Sequence, residues 1–207
     1  MKNKVRIEKL FPTSIMRGNL PFTSRWNLKL LKEIEQFSAD DKMGRDWSKV
    51  NYLSGYTSYA SLSNMQWRSP LFSELHDTLQ PHAIQFARHQ GWNLKGLDLV
   101  MDTCWMNVMP KHAYHTLHLH PHSVLSGTYY VSTPPGSVAL KLEDPRMPNY
   151  MNAPVRQNKG GELYYPVQPQ VGAFVLFESW LRHEVPPNQS NTPRVSVSFN
   201  YSLVERE

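Results

Sequence analysis

Histidine is concentrated in one short segment of this chain. Five of the nine histidines lie between His112 and His122, and two of them, His118 and His120, are two residues apart and run directly into Pro121. On a β-strand, residues i and i+2 point to the same face, so both imidazoles could bind a single metal ion. The spacing predicts two corners of a metal site, with a third ligand supplied from elsewhere in the chain.

A candidate third ligand and a candidate anion-binding pair lie near the C-terminus. His183 follows the apolar segment 173–177, so we expect it at a strand end close to the core. Eleven residues later Arg194 begins a segment of alternating polarity, and an arginine and a serine on one strand face can grip a carboxylate. The two predicted faces are Arg194, Ser196 and Ser198 on one side and Val195, Val197 and Phe199 on the other.

Composition excludes several other kinds of site. A chain of 207 residues with 40% hydrophobic content can bury a full core, and its length predicts a single domain over residues 1–207. The only cysteine, Cys104, excludes an internal disulfide framework and a zinc site of paired thiolates. No phosphate-binding glycine motif or GxSxG elbow is present, so nucleotide binding and serine hydrolysis are not supported.

Charge and hydropathy bear on partners and location. The net charge of +5 comes from scattered basic residues, which favours a solvated surface over a nucleic-acid footprint, so no nucleic-acid partner is expected. The first fifteen residues lack an apolar signal-peptide core, and no stretch approaches the roughly 18 apolar residues of a membrane span. We expect a cytoplasmic protein without a membrane partner, and the sequence is compatible with a homodimer.

Residues 1–96 are expected to form an N-terminal strand and a helical flank. Apolar residues over 5–11 suggest an opening strand that ends at Pro12, and the polar segment 40–64 is interpreted as a loop. Helical spacing of apolar residues predicts two helices. They cover 24–37, with Ser24 as N-cap, and 69–91, with Ser69 as N-cap and with Pro81 producing a kink or a break.

From residue 97 onward the chain divides into short β-rich segments separated by proline and glycine. Seven such segments with turn signals between them predict an all-β sandwich or barrel. The polar segment 144–161 is long for a loop in a compact domain, so we expect it to border a pocket. The predicted strands are 97–109, 114–120, 125–132, 138–142, 162–167, 173–177 and 194–203.

An ordered set of motifs carries a family resemblance over about residues 97–203. It comprises HxHP at 118–121, LSGTYYVS at 125–132, LEDPR at 142–146, the stretch 177–188 around His183, and RVSVSFN at 194–200. In this order the motifs resemble those of the 2-oxoglutarate-dependent Fe(II) oxygenases, most closely a bacterial and phage branch of that superfamily. The resemblance implies a mainly β fold with flanking α-helices, in which residues 97–207 form a double-stranded β-helix core of the jelly-roll, cupin-like type.

The resemblance also implies an activity and a set of site residues. The activity is a hydroxylase-type oxidation of an unknown substrate by Fe(II) and O₂, coupled to decarboxylation of 2-oxoglutarate to succinate. His118 would be the first iron ligand and His183 the distal one. Three further residues would contact the cosubstrate: Arg194, Ser196 and Tyr129. Asn107, on the strand before the histidines, either lines the same pocket or caps a turn.

Position 120 departs from the family pattern. Most of the superfamily has Asp or Glu there, whereas this chain has His120, so either the site uses three histidines or Glu143 or Asp144 supplies a carboxylate. A neutral third ligand would leave the iron centre more positive. Two alternatives follow: a cupin-like three-histidine metal dioxygenase that does not use 2-oxoglutarate, and a non-catalytic jelly-roll binding module.

Overall fold

Two antiparallel sheets dominate the computed structural model, which describes residues 5–146, Met151 and residues 163–206. The strands of the described residues are β1 Ile15–Asn19, β2 Tyr56–Thr57, β3 Leu97–Met109, β4 His115–His118, β5 Leu125–Ser132, β6 Leu140–Glu143, β7 Tyr164–Val167, β8 Ala173–Glu178, β9 His183–Val185 and β10 Arg194–Glu205. The larger sheet has the order β1-β8-β5-β10-β3-β2 and the smaller sheet β4-β9-β6-β7. The predicted mainly β jelly roll with flanking helices is confirmed.

Three helices lie in the N-terminal part of the chain: α1 Ser24–Asp40, α2 Lys42–Asn51 and α3 Pro70–His89. Each begins with a side chain that accepts a backbone N–H of the first turn, as helix N-termini require. These caps are Thr23, Asp41 and Ser69, and Pro70 follows Ser69 at the start of α3. No helix among the described residues is long and apolar enough to cross a membrane.

The outer face of the larger sheet and the helices share the main hydrophobic core. Leu30 and Ile34 of α1 and Leu75 and Leu79 of α3 are fully buried in it, together with the apolar residues of β10. Along β10 the alternation is regular, because Val195, Val197 and Phe199 enter this core while Arg194, Ser196 and Ser198 line a cavity on the other face. The predicted division of this strand into two faces is confirmed.

A second core lies between the two sheets. Val175 and Phe177 of β8 meet Leu140 and Leu142 of β6 there, with Val185 of β9 beside them. The inner face of the larger sheet becomes polar next to this core, where β3, β5 and β10 carry hydroxyl, amide and guanidinium groups. The apolar packing therefore holds the sheets together beside a polar opening between them.

Several N-terminal predictions were wrong. Residues 5–11 form no strand and are exposed, because the strand that pairs with β8 is Ile15–Asn19. The segment interpreted as a loop contains α2 and β2. The N-cap of α1 is Thr23 and not Ser24. Helix α3 continues through Pro81 as one element, so the predicted break does not occur, and the kink given as its alternative stays a prediction.

The strand predictions for the β-core were closer. Strands β3 and β5 have the predicted bounds, and β6, β7, β8 and β10 differ by a few residues at their ends. Strand β4 stops at His118, which places His120 beyond its end, and β9 was not predicted. Most of the segment expected to border a pocket, residues 147–150 and 152–161, lies outside the described residues.

Candidate metal centre

The three histidines predicted as metal ligands come together in the structure. His118 ends β4 and His183 begins β9, and the two are direct cross-strand partners. His120 lies two residues past β4, where its backbone N–H donates to the carbonyl of Ser179 at 3.1 Å. One ring nitrogen from each histidine lies within 4.8 Å of the others, which is a spacing that one metal ion can bridge.

Each of the three imidazoles is oriented by a bond at the same ring nitrogen. The Nδ1 atoms of His118 and His183 lie 2.6 and 2.9 Å from the carbonyl oxygens of Thr116 and Leu181. The Nδ1 of His120 lies 2.7 Å from the side-chain oxygen of Asn200. Because these oxygens only accept, each Nδ1 must carry the proton, and Nε2 is left with a free lone pair for a metal.

Burial keeps these rings neutral. It lowers the pKa of His120 to about 4, an effect that neighbouring His118 increases and the bond to Asn200 opposes. Burial likewise lowers the pKa of His118, and it lowers that of His183 well below the ordinary value. A histidine must be unprotonated to bind a metal, so the three side chains are available as ligands at neutral pH.

The two acidic residues considered as substitutes for His120 are engaged elsewhere. Glu143 is buried and pairs with Arg182 at 3.0 Å. Asp144 pairs with Arg146 in the loop after β6. Among the described residues, the cluster that could hold a metal contains only His118, His120 and His183. The geometry therefore favours a three-histidine site over one completed by a carboxylate.

A cavity between the sheets connects the histidines with Arg194. The arginine is 2% exposed, its guanidinium lies over the ring of Tyr130 at 5.1 Å, and one terminal nitrogen contacts the sulfur of Met109 at 3.0 Å. Its Nε has no hydrogen-bond partner among the residues that the structure describes. Ser196 and Asn107 line the same cavity. The predicted anion-binding pair thus faces the predicted metal ligands.

Other polar atoms around Arg194 also lack partners. Asn107 donates to the hydroxyl of Ser198 at 3.0 Å, but its own carbonyl oxygen is buried and unpaired. Among the described residues, the hydroxyl group of Tyr52 is buried without a partner too. Sequence patterns did not single out Tyr52, because it follows α2 in a segment interpreted as a loop.

Tyr129 does not face this cavity, contrary to its predicted role. Its ring packs edge-on against Phe22 and Trp26, and its hydroxyl donates to the side chain of Asn27 at 3.0 Å. Successive residues of a strand point to opposite faces, so the neighbouring Tyr130 is the one on the Arg194 side. The hydroxyl of Tyr129 joins α1 to β5 and has no part in the site.

A larger, outer cavity of about 420 Å³ borders the histidines from the other side. Trp47, Tyr59 and Trp105 supply aromatic walls, and Asp102 is the only carboxylate among the described residues that line it. His115 lines both cavities, and its ring stacks on Tyr52 with centroids 4.1 Å apart. The site therefore consists of a narrow chamber that contains Arg194 and a wider chamber with aromatic walls, and the two meet at His115, His118 and His120.

A jelly roll that places three inward-facing histidines beside a buried arginine is compatible with a non-haem metal centre and an anionic ligand. Residues 103–200 match the family model described as "Putative 2OG-Fe(II) oxygenase". Over this segment, 98 of the 207 residues, the chain is similar to the 2OG-Fe(II) oxygenases, the family that its motifs resemble. The comparison with curated proteins found no match.

Solved structures of similar fold cover most of the chain. A prolyl-4-hydroxylase from Pseudomonas putida is 15% identical, with a TM-score of 0.60 over 94% of each chain. HygX from Streptomyces hygroscopicus, with nickel and 2-oxoglutarate bound, is 13% identical, with a TM-score of 0.61 over 92% of this chain and 83% of HygX. The carbocyclase SnoK from nogalamycin biosynthesis is 11% identical, with a TM-score of 0.66 over 94% and 82%. At these identities the likeness establishes the fold.

Proposed function

We propose that this protein is an oxygenase that binds Fe(II) through His118, His120 and His183 and binds 2-oxoglutarate through Arg194 and Ser196. The observation that carries the proposal is a buried arginine, unpaired at Nε, in the same cavity as three imidazoles with free Nε2 atoms. Each half of this arrangement could be structural by itself. Together they fit a ligand with one end on a metal and an anionic group at the other.

The unpaired guanidinium nitrogen supports an anionic ligand. A buried cation that lacks an acceptor is costly, and buried polar groups in proteins are almost always paired. No Asp or Glu lines the inner cavity among the described residues. A carboxylate bound there would accept from Arg194 and from the hydroxyl of Ser196. The far carboxylate of 2-oxoglutarate supplies this group.

The chain's own share of the chemistry is positioning and exclusion of water. When bound, Fe(II) with 2-oxoglutarate and O₂ supplies the oxidation of a substrate C–H bond, coupled to decarboxylation of 2-oxoglutarate to succinate. The Nδ1 partners fix the three imidazoles, so the ligand nitrogens need little rearrangement on binding. The buried walls from β5 and β10 keep the cosubstrate chamber dry.

We place the substrate in the outer cavity. Its volume is in the range of small-molecule sites, and its walls combine four aromatic side chains with histidines and neutral polar residues. No Lys or Arg lines it among the described residues, while Asp102 adds a negative charge. A phosphate or carboxylate group would therefore find no counter-charge there. We expect the substrate's reacting part to be neutral or cationic.

This charge preference can be tested without knowing the substrate. A small-molecule extract is separated by ion exchange into anionic, neutral and cationic fractions, and each is added to enzyme loaded with Fe(II) and 2-oxoglutarate. Succinate release above the background rate is expected from the neutral or cationic fractions. Stimulation by the anionic fraction alone would contradict the placement.

The role of Arg194 is tested by Arg194→Met, which keeps an unbranched side chain over Tyr130 and removes the charge. We expect 2-oxoglutarate affinity to fall at least tenfold, since hydrogen bonds to charged groups contribute about 1.5–3 kcal/mol, while metal affinity stays near that of the wild type. Calorimetric titration with each ligand in turn measures both. Arg206→Ala is the matched control, because Arg206 pairs with Asp98 at the surface, and it should change neither affinity.

One observation favours a second candidate function. His120 stands where most relatives have a carboxylate, and a three-histidine site is typical of cupin-like dioxygenases that do not use 2-oxoglutarate. In that case the wild-type protein would bind metal tightly and show no 2-oxoglutarate affinity in the same titration. Equal loss of metal and 2-oxoglutarate binding in Arg194→Met would instead mean that Arg194 is structural.

A further inference from the structure

The three candidate ligands differ in what holds them. His118 and His183 are oriented by backbone carbonyls, of Thr116 and Leu181. His120 alone is oriented by a side chain, the amide of Asn200. The ligand at the position where a carboxylate is usual is therefore also the one whose partner could differ by a single substitution.

Asn200 is held firmly in place. It is 4% exposed and lies in β10, paired with Thr103 of β3 on one side and with Ser126 of β5 on the other. Its side-chain oxygen accepts a second hydrogen bond from the hydroxyl of Ser126 at 2.8 Å. That hydroxyl also lies 2.7 Å from the hydroxyl of Ser179, the residue whose carbonyl accepts from the backbone of His120. The four residues form a closed network.

The chemistry of an amide acceptor differs from that of a carboxylate. A carboxylate bonded to a metal-binding histidine places a negative charge next to the ring and raises the basicity of the ligand nitrogen. The Asn200 amide fixes the ring and the protonated Nδ1 in the same way, but it adds no charge. His120 is thereby presented as a neutral ligand through Nε2.

We propose that Asn200 is a positioning residue that orients His120 for the metal and keeps the third ligand neutral. The proposal rests on the metal centre of the proposed function and not on its cosubstrate or substrate. The hydrogen bond between the Nδ1 of His120 and the Asn200 amide determines how tightly this ligand is oriented. The proposal also accounts for a buried side-chain amide that continues the polar face of β10.

Two substitutions of similar size separate orientation from packing. Asn200→Leu keeps the volume and removes the acceptor, so we expect Co(II) affinity to fall by about 10–100-fold, the usual effect of losing such a partner. Asn200→Asp restores an acceptor and adds charge, so affinity should equal or exceed that of the wild type. Dissociation constants come from competition with a chelator, and the visible Co(II) spectrum reports the ligand field.

The control is Asn27→Leu, the same substitution at a buried amide that bonds to Val131 and Tyr129 away from the metal centre. Its Co(II) affinity should stay within a few-fold of the wild type. Urea midpoints in chelator show whether each variant folds. Wild-type affinity in Asn200→Leu, or equal losses in Asn200→Leu and Asn200→Asp, would overturn the proposal.

Titration of the wild type with Co(II) and then with 2-oxoglutarate separates this proposal from the proposed function. If the wild type binds Co(II) and shows the pattern above but has no affinity for 2-oxoglutarate, the oxygenase function fails and the role of Asn200 stands. If the wild type binds no Co(II), the metal centre and the role of Asn200 are both overturned.

Discussion

The histidines of the site are held neutral by their buried surroundings. His115, between the two chambers, shows this most strongly: burial, together with the nearby His118, Arg194 and His120, lowers its pKa to about 3. The folded protein therefore resists protonation at a ring that is protonated freely in the unfolded chain. The unpaired polar atoms near Arg194 lie in the same buried environment, where we expect a bound ligand to balance the charge of the arginine.

The lowered pKa of His115 predicts acid sensitivity of the metal-free protein. Below pH 6.5 the unfolded state gains a proton that the folded state excludes, so stability is full above 6.5 and falls as pH decreases towards about 3. The slope is about 1.4 kcal/mol per pH unit for each such histidine. Urea midpoints at pH 7.5 and 5.5, in chelator, measure it.

His115→Phe keeps an aromatic ring against Tyr52 and removes the titrating group. The difference in unfolding free energy between pH 7.5 and 5.5 should shrink in this variant. An unchanged difference would show that His115 is protonated equally in the folded and unfolded states.

At the scale of elements, segments with a polar–apolar alternation or clear turn signals were predictable, and segments without a buried apolar face were not. The bounds of β3 and β5 and the two faces of β10 followed from alternation and turn signals. Helix α2 was missed because its buried positions are Gly44 and Ser48, while its helical-spaced apolar residues are exposed. Its composition therefore reads as polar loop although it forms a wall of the outer chamber.

The tyrosine assignment failed for a related reason. Nearly every residue of β5 is buried, so both faces of the strand are covered and the sequence carries no alternation to show which side faces the site. His183 was found because of its chemistry, whereas β9, only three residues long, has too short a pattern to detect. Asn200 was not predicted as a site residue, because its burial depends on contacts with β3 and β5, which are distant from it in sequence.

The corrected placement of Tyr129 makes a prediction about how α1 docks on the sheet. Tyr129→Phe removes the hydrogen bond to Asn27 and leaves its buried oxygen unpaired, which should reduce the unfolding free energy by about 1 kcal/mol. Affinity for 2-oxoglutarate should be unchanged. Denaturant unfolding and calorimetric titration measure the two. A loss of 2-oxoglutarate affinity with unchanged stability would restore Tyr129 to the site.

On the scale of the whole molecule, the site lies where the two sheets separate. The smaller sheet supplies His118 and His183, and the larger sheet supplies Arg194 and Ser196 from β10. A cosubstrate bound at both ends would bridge the sheets, and the apolar core beside the site keeps them at that separation. The helices that flank the larger sheet add the wall of the outer chamber through Trp47.

The most direct test of the account is anaerobic addition of Fe(II) and then 2-oxoglutarate to the purified, tag-free protein. We predict a weak visible charge-transfer band of the chelated keto acid, present in the wild type, absent in His183→Ala and requiring more 2-oxoglutarate in Arg194→Met. Folded protein that binds Fe(II) but gives no band at saturating 2-oxoglutarate would contradict the account.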